Sequence, residues 1–316
     1  MIKTMKNIYS LILFVSLINF ASSAQNSEWK TLKGDLDFII ANDLGRNGYY
    51  EQKSIAELMG NMAEEIGPEA VLALGDVHHF DGVQSTADPL WNSNYEMIYT
   101  HPELMIEWLP ICGNHEYRGN TSAVLDYSQI SRRWRISDYY YSKTFFDNGV
   151  SLKIIFLDTT PLIEKYRANT EKYPDACKQD AEKQLDWLEN ELQADTAMWT
   201  IVVGHHPIYA YTSKDDSERS DMQKKVDSIL RRHNVDMYIC GHIHNFQHYK
   251  VAGSAIDYIV NTSGSLSRAK VNKEAPGCVF ASGEAGFSVL TVKEKTLSLS
   301  MVNSTGSIIH IVTRSK

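Results

Sequence analysis

Short apolar runs alternate with polar, helix-length stretches along most of the chain. The runs at residues 38–41, 70–74, 109–112, 153–157, 200–203 and 237–240 are four or five residues long and mainly aliphatic, as buried strands are. Residues 52–66, 91–100, 178–193 and 217–233 lie between them and read as helices. In the third of these, Leu185, Leu188 and Leu192 recur at spacings of three and four, the period of one helix face. Such alternation predicts an α/β fold with largely parallel central strands. Beyond residue 255 the pattern changes. Runs at 256–260, 287–292, 297–301 and 308–312 follow one another without a helix and are expected to extend a sheet in antiparallel fashion. Two connections, residues 116–145 and 159–178, have the length at which loops become functional lids.

The first residues read differently. Lys3 and Lys6 precede an apolar run over 8–18, and Ser22-Ser23-Ala24 supplies small residues for cleavage after Ala24. The run is short for a membrane anchor, which needs ~20 residues. Residues 1–24 are therefore expected to be an export signal, with residues 25–316 forming one catalytic domain that is secreted or periplasmic. No later stretch is long and apolar enough to cross a bilayer, so no stable membrane insertion is expected. The 31 basic and 39 acidic residues give a net charge of -8 without a basic stripe, and no nucleic-acid partner is expected. Cys112, Cys177, Cys240 and Cys278 show no paired spacing, and no disulfide is assigned. Asn120, Asn261 and Asn303 head Asn-x-Ser/Thr sequons.

Chemistry gathers where the predicted strands end. The first runs into Asn42-Asp43-Leu44-Gly45, and the second into Gly75-Asp76-Val77-His78-His79. The third leads to Gly113-Asn114-His115-Glu116, and two later ones to Gly204-His205-His206 and Gly241-His242-Ile243-His244. Ligands of open α/β sheets bind outside the carboxyl ends of the strands, so these segments should meet in one cleft. Each motif alone is an ordinary turn; five together at strand ends point to metal. Asp43, Asp76, Asn114, His205, His242 and His244 are six candidate ligands, with His79 a seventh. A tetrahedral zinc needs four at most, whereas two ions sharing a carboxylate use seven. Mixed oxygen and nitrogen donors suit zinc, manganese or iron. Such a pair lowers the pKa of a bound water and clamps a phosphoryl oxygen, so the expected substrate is a small phosphorylated molecule. His115, beside Asn114, is the candidate catalytic acid for the leaving group.

These motifs, in this order, resemble the calcineurin-like metallophosphoesterase superfamily. More narrowly they resemble the small mammalian-type purple, or tartrate-resistant, acid phosphatases. The likeness extends to Gly119-Asn120-Thr121-Ser122-Ala123, to residues 127–134, to Gln184-Leu185-Asp186-Trp187-Leu188 and to residues 240–246. It implies a four-layer αββα sandwich with a dimetal site at its edge. It also implies that Asp43, Asp76, His244 and the residue at position 79 serve one metal. Asn114, His205 and His242 serve the other, Asp76 bridges, and His115 assists the leaving group. The purple enzymes carry tyrosine where this chain has His79; tyrosinate holds ferric iron and gives the colour, so a divalent pair is expected here. Ungapped alignment puts Lys214 where that group has a second histidine near the substrate. Three functions fit these residues: a phosphomonoesterase acting through a metal-bound hydroxide, a phosphodiesterase or nucleotide hydrolase on the same scaffold, and a non-catalytic secreted metal-binding protein.

Overall fold

The computed structural model describes residues 28–316; the signal expected at residues 1–24 lies outside them. Two mixed sheets carry the fold. The first is built on parallel strands β1 (Leu36–Ala41), β2 (Ala70–Ala73) and β3 (Glu107–Pro110). Strands β11 (Gly286–Val292), β12 (Thr296–Asn303) and β13 (Ile308–Ser315) continue it antiparallel from the edge of β1. The second sheet centres on β5 (Val150–Phe156), β6 (Trp199–Val203), β7 (Met237–Cys240) and β9 (Asp257–Val260), all parallel. Its edges are antiparallel: β4 (Tyr141–Asp147) on one side, β8 (Phe246–Lys250) and then β10 (Cys278–Ser282) on the other. Helices flank the sheets, as the αββα expectation requires. They are α1 (Gln52–Ile66), α2 (Thr121–Asp126), α3 (Glu164–Arg167), α4 (Ala181–Gln193), α5 (Ser217–Met222) and α6 (Ser228–Arg232).

Local sequence explains the better-defined helices. In α1, Ile55, Ala56, Met59, Met62, Ala63 and Ile66 are buried at helical spacing. Gly67 ends the helix at φ 64°, a conformation open to glycine without penalty. Asp180 caps α4 by accepting from the Lys183 backbone N–H at 3.0 Å.

The structure departs from the periodicity reading in three places. Residues 256–260 meet the antiparallel expectation on one side only: β9 pairs antiparallel with β8 but lies parallel beside β7. Residues 91–100 hold only a π-type turn at Asn92–Glu96. A similar turn at Gln223–Asp227 separates α5 from α6. Strands β4, β8 and β10 were invisible as apolar runs, because their segments (YSKTFFD, FQHYK and CVFAS) carry polar residues or lie half-exposed at or near a sheet edge.

The two sheets are joined by buried amides at the top of β1 and β9. Asn261 Nδ2 donates to Ile40 O at 3.1 Å and to Asn42 Oδ1 at 2.7 Å, and Ser288 Oγ donates to Asn261 Oδ1 at 2.7 Å. Asn42 Nδ2 in turn reaches Thr262 O at 3.0 Å and Asp43 Oδ2 at 2.6 Å. A satisfied polar network of this kind fixes one relative position of the sheets, which an apolar contact would not. Of the three sequon asparagines, Asn261 and Asn303 are buried and Asn120 is exposed, so only Asn120 is accessible to a glycosylating enzyme. All four cysteines are free thiols, with Cys112 and Cys240 buried.

Candidate metal centre

The loops after β1, β2, β3, β6 and β7 meet above the carboxyl ends of those strands. His205 Nε2 lies 3.2 Å from Asp76 Oδ2, His79 Nε2 3.6 Å and His115 Nε2 3.8 Å. His244 Nε2 lies 3.1 Å from Asp43 Oδ1, and the His242 backbone N–H donates to Asp43 Oδ2 at 2.9 Å. Four sets of three donors, each with its atoms within 4.8 Å of one another, are Asp43/His79/His244, Asp43/Asp76/His205, Asp76/His79/His115 and His205/His206/His242. Asp43, Asp76, His242 and His244 all have positive φ, between 52° and 71°. Such backbone costs ~1–3 kcal/mol per residue and persists where surrounding structure enforces it, typically at functional sites.

Close approach explains two glycines. A Cβ on Gly75, itself at φ 87°, would lie 2.7 Å from His205 Nδ1; one on Gly113 would lie 2.3 Å from Asp76 Oδ1. Glycine therefore serves packing of the loops against one another as much as turning of the chain.

The donor set fits a metal. Asp43 Oδ1, Asn114 Oδ1 and both ring nitrogens of His79 are buried without a hydrogen-bond partner, a costly state that bound cations would relieve. Burial disfavours charge on Asp76, yet His205 and then His115 beside it hold the carboxyl well below its ordinary range. Burial likewise opposes charge on His205, but Asp76 and Asp43 outweigh it and push the imidazolium up to about 9. His242 behaves oppositely: burial, then the Lys214 ammonium, bring it down to about 3.

One of the seven junction histidines, His78, faces away, while His206 borders the cluster, its ring 4.4 Å from that of His242. His78 packs edge-on against Trp91, ring centroids 4.4 Å apart. His206 is held at Nδ1 by Thr159 Oγ1, 2.9 Å, and at Nε2 by Tyr166 Oη, 3.2 Å. His79, by contrast, turns into the cluster, its ring 4.1 Å from His115 and 5.6 Å from His244.

Two residues around the cluster, Glu116 and Glu218, were not singled out by sequence, and Lys214, which alignment put near the substrate, joins them. Glu116, inside the Gly113-Asn114-His115-Glu116 motif, accepts backbone N–H groups of Asp76 at 2.8 Å, His78 at 3.0 Å and Gly113 at 2.7 Å. It thereby ties the second loop to the third. Glu218, on α5, accepts from Tyr166 Oη at 2.6 Å and lies 3.0 Å from His242 Nε2. With Nε2–H donated to Glu218, the lone pair of Nδ1 faces His205 Nε2, 3.3 Å away, the tautomer a metal ligand needs. Lys214 Nζ sits 2.6 Å from the same Nε2. No periodicity or spacing marks α5 as part of the site; only its packing does.

Above these residues lies a cleft of about 460 Å³. The 159–178 connection covers one side with Lys165, Tyr166 and Tyr173, and Arg46, Arg118, Lys214 and Arg268 supply further cations. Among the described residues, no helix is long and apolar enough to cross a membrane.

Known proteins share these features. Residues 36–246 match the family model for calcineurin-like phosphoesterases. Purple acid phosphatase 7 of Arabidopsis thaliana is 30% identical over 242 residues, covering 75% of this chain and 72% of that protein. Tartrate-resistant acid phosphatase type 5 of Homo sapiens is 27% identical over 265 residues, covering 79% and 80% respectively. Among solved structures, GAP50, the anchor in the inner membrane complex of Plasmodium, is similar with a TM-score of 0.77 at 24% identity, over 89% of this chain and 88% of that one. A purple acid phosphatase from yellow lupin seeds gives 0.64 at 16% identity, over 89% and 53%. The likenesses to solved structures concern the fold alone.

Proposed function

Because the chain belongs to the calcineurin-like phosphoesterase family and is a metal-dependent phosphatase of the purple acid phosphatase kind, we propose that it hydrolyses phosphate monoesters after export from the cell. Asp43, Asp76, His79 and His244 would hold one metal ion, and Asp76, Asn114, His205 and His242 the other. Two ions supply there an activated water near neutral pH and neutralise charge on the phosphoryl oxygens.

The observation that carries the monoester reading is the charge of the cleft. Five cationic side chains line it, against Asp215 and Glu218 beyond the metal-facing Asp76. That excess suits the dianion of a monoester better than the single charge of a diester with two organic arms. Arg118 and Lys165, which line the cleft, would help to neutralise the phosphoryl group, and His115 would protonate the leaving oxygen. His115 Nδ1 is 2.6 Å from Phe80 O, so the proton on Nδ1 is committed to that carbonyl and Nε2 faces the cleft.

A divalent pair is proposed because a neutral imidazole stands at position 79. Burial, opposed by Asp76, keeps His79 well below its ordinary range and so neutral. Loading must displace the proton that His205 retains below about 9. Metal affinity should therefore rise about tenfold per pH unit across the neutral range. Without tyrosinate-held ferric iron, activity in acid is expected to be poor. One experiment tests this reading: pH profiles on a panel of mono- and diesters, with metal content and visible spectrum recorded at each pH. The expected result is a colourless enzyme with two divalent ions, a neutral or mildly alkaline maximum and at least about tenfold preference for monoesters. A diester preference, or a purple protein with an acid maximum and both metals retained, would overturn it.

Export rests on the Lys3/Lys6, apolar-run and Ser22–Ala24 pattern. Amino-terminal sequencing of protein from its native host is expected to start near Gln25; an intact Met1 in the cytosolic fraction would refute the assignment.

A further inference from the structure

Two side chains meet the same nitrogen of His242 with opposite demands. Glu218 Oε2 lies 3.0 Å from His242 Nε2, and Lys214 Nζ lies 2.6 Å from it. A carboxylate only accepts, so it needs the ring proton on Nε2; an ammonium only donates, so it needs a lone pair there. A neutral imidazole carries one proton, and the two demands cannot be met together. With Lys214 as the partner, the proton sits on Nδ1, the nitrogen that faces His205 Nε2 at 3.3 Å. A protonated nitrogen cannot ligate, so that arrangement closes the metal-facing side of the ring.

The two competitors are held differently. Glu218 is 1% exposed, and its other oxygen accepts from Tyr166 Oη at 2.6 Å and from Lys165 Nζ at 2.5 Å. Those bonds keep the carboxylate in place whichever tautomer His242 adopts. Lys214 Nζ has one further hydrogen bond among the described residues, to His242 O at 3.1 Å. Its side chain lines the catalytic cleft beside Arg46, Arg118 and Lys165. A phosphoryl oxygen in that cleft is an anionic acceptor, stronger for an ammonium than a neutral imidazole is.

We infer that Lys214 is a positioning residue: bonded to His242 it closes the second metal position, and a phosphoryl group opens that position by drawing the ammonium into the cleft. Glu218 then takes over Nε2. The ring proton passes from Nδ1 to Nε2 through water, with no net change in protons. Metal and phosphate favour each other, and by linkage each raises the affinity of the other by the same factor.

This inference rests on the two-metal phosphatase reading, and the test separates the two. Holoenzyme is dialysed against graded chelator, with and without inorganic phosphate, and the metal retained is measured. In the wild-type protein one ion should leave at lower chelator than the other, and phosphate should hold it. Lys214→Met should retain that ion without phosphate at about tenfold higher chelator, and phosphate should add less than in the wild type. Lys214→Arg keeps a donor at Nε2 and should leave the ion as weakly held as in the wild type. Glu218→Gln should act in the opposite direction to Lys214→Met, losing the same ion at about tenfold lower chelator. Arg118→Met removes a cleft charge without touching a ligand nitrogen, so it controls for loss of repulsion alone. Unchanged retention in Lys214→Met, or tightening that Arg118→Met or Lys214→Arg reproduces, would overturn the role of Lys214 and leave the phosphatase reading intact. A wild-type protein that holds fewer than two ions even with phosphate would refute both.

Discussion

Replacing Asp76 with alanine is expected to lower kcat/KM by at least about a thousandfold and to reduce bound metal from two ions to one or none. The magnitude follows from the several kcal/mol of transition-state charge stabilisation that a metal pair supplies. The joint loss follows from position. Asp76 Oδ2 is the oxygen nearest to His205, His79 and His115 together, and Asp76 Oδ1 accepts the His115 backbone N–H at 2.8 Å. Removing the carboxylate thus takes away the proposed shared ligand and frees the catalytic loop. The control is Asp76→Asn, which retains the acceptor for His115 but lacks the charge. It should keep the fold and still lose metal. Metal analysis beside thermal unfolding distinguishes this outcome from simple misfolding; full metal content in Asp76→Ala would exclude Asp76 as the shared ligand.

His115→Ala should behave differently: kcat falls by about 10²–10⁴ while two metals remain bound. His115 is not needed to complete either proposed ligand set, and its Nε2 is 3.8 Å from the nearest carboxylate oxygen. In the proposed mechanism it gives a proton to the departing oxygen. The loss should therefore be greatest for alkyl esters and least for nitrophenyl esters, whose leaving groups need little protonation. A uniform loss across leaving groups would assign His115 to loop structure instead.

Different kinds of information made the site legible to different degrees. Gly-Asp, Gly-Asn-His-Glu and Gly-His-x-His are local: each is a strand end, a turn and a polar side chain within a few residues. The sequence therefore carried Asp43, Asp76, Asn114, His205, His242 and His244 directly, and the structure brings them into one cluster. Local pattern likewise determined α1 and the parallel strands β1, β2, β6 and β7, because a fully buried strand must be a continuous apolar run.

What depends on long-range packing was not in the pattern. The resemblance singled out position 79, but the physical reason lies in packing: His78 sets its ring against Trp91, and His79 turns to His115 instead. The parallel setting of β9 required the β8 hairpin to bring it back beside β7, and an apolar run reads the same in either direction. Glu218 approaches His242 only because α5 packs against the 159–178 connection, where Tyr166 meets Glu218. Nothing in the local pattern marks a role for Asn42; in the fold it joins two sheets through Asn261, over two hundred residues away, and orients Asp43. Residue type and local period thus determined which groups could do chemistry and where strands would end. Tertiary structure alone decided which carboxylate holds each loop and which aromatic rings stay exposed, because those outcomes depend on partners distant in the chain.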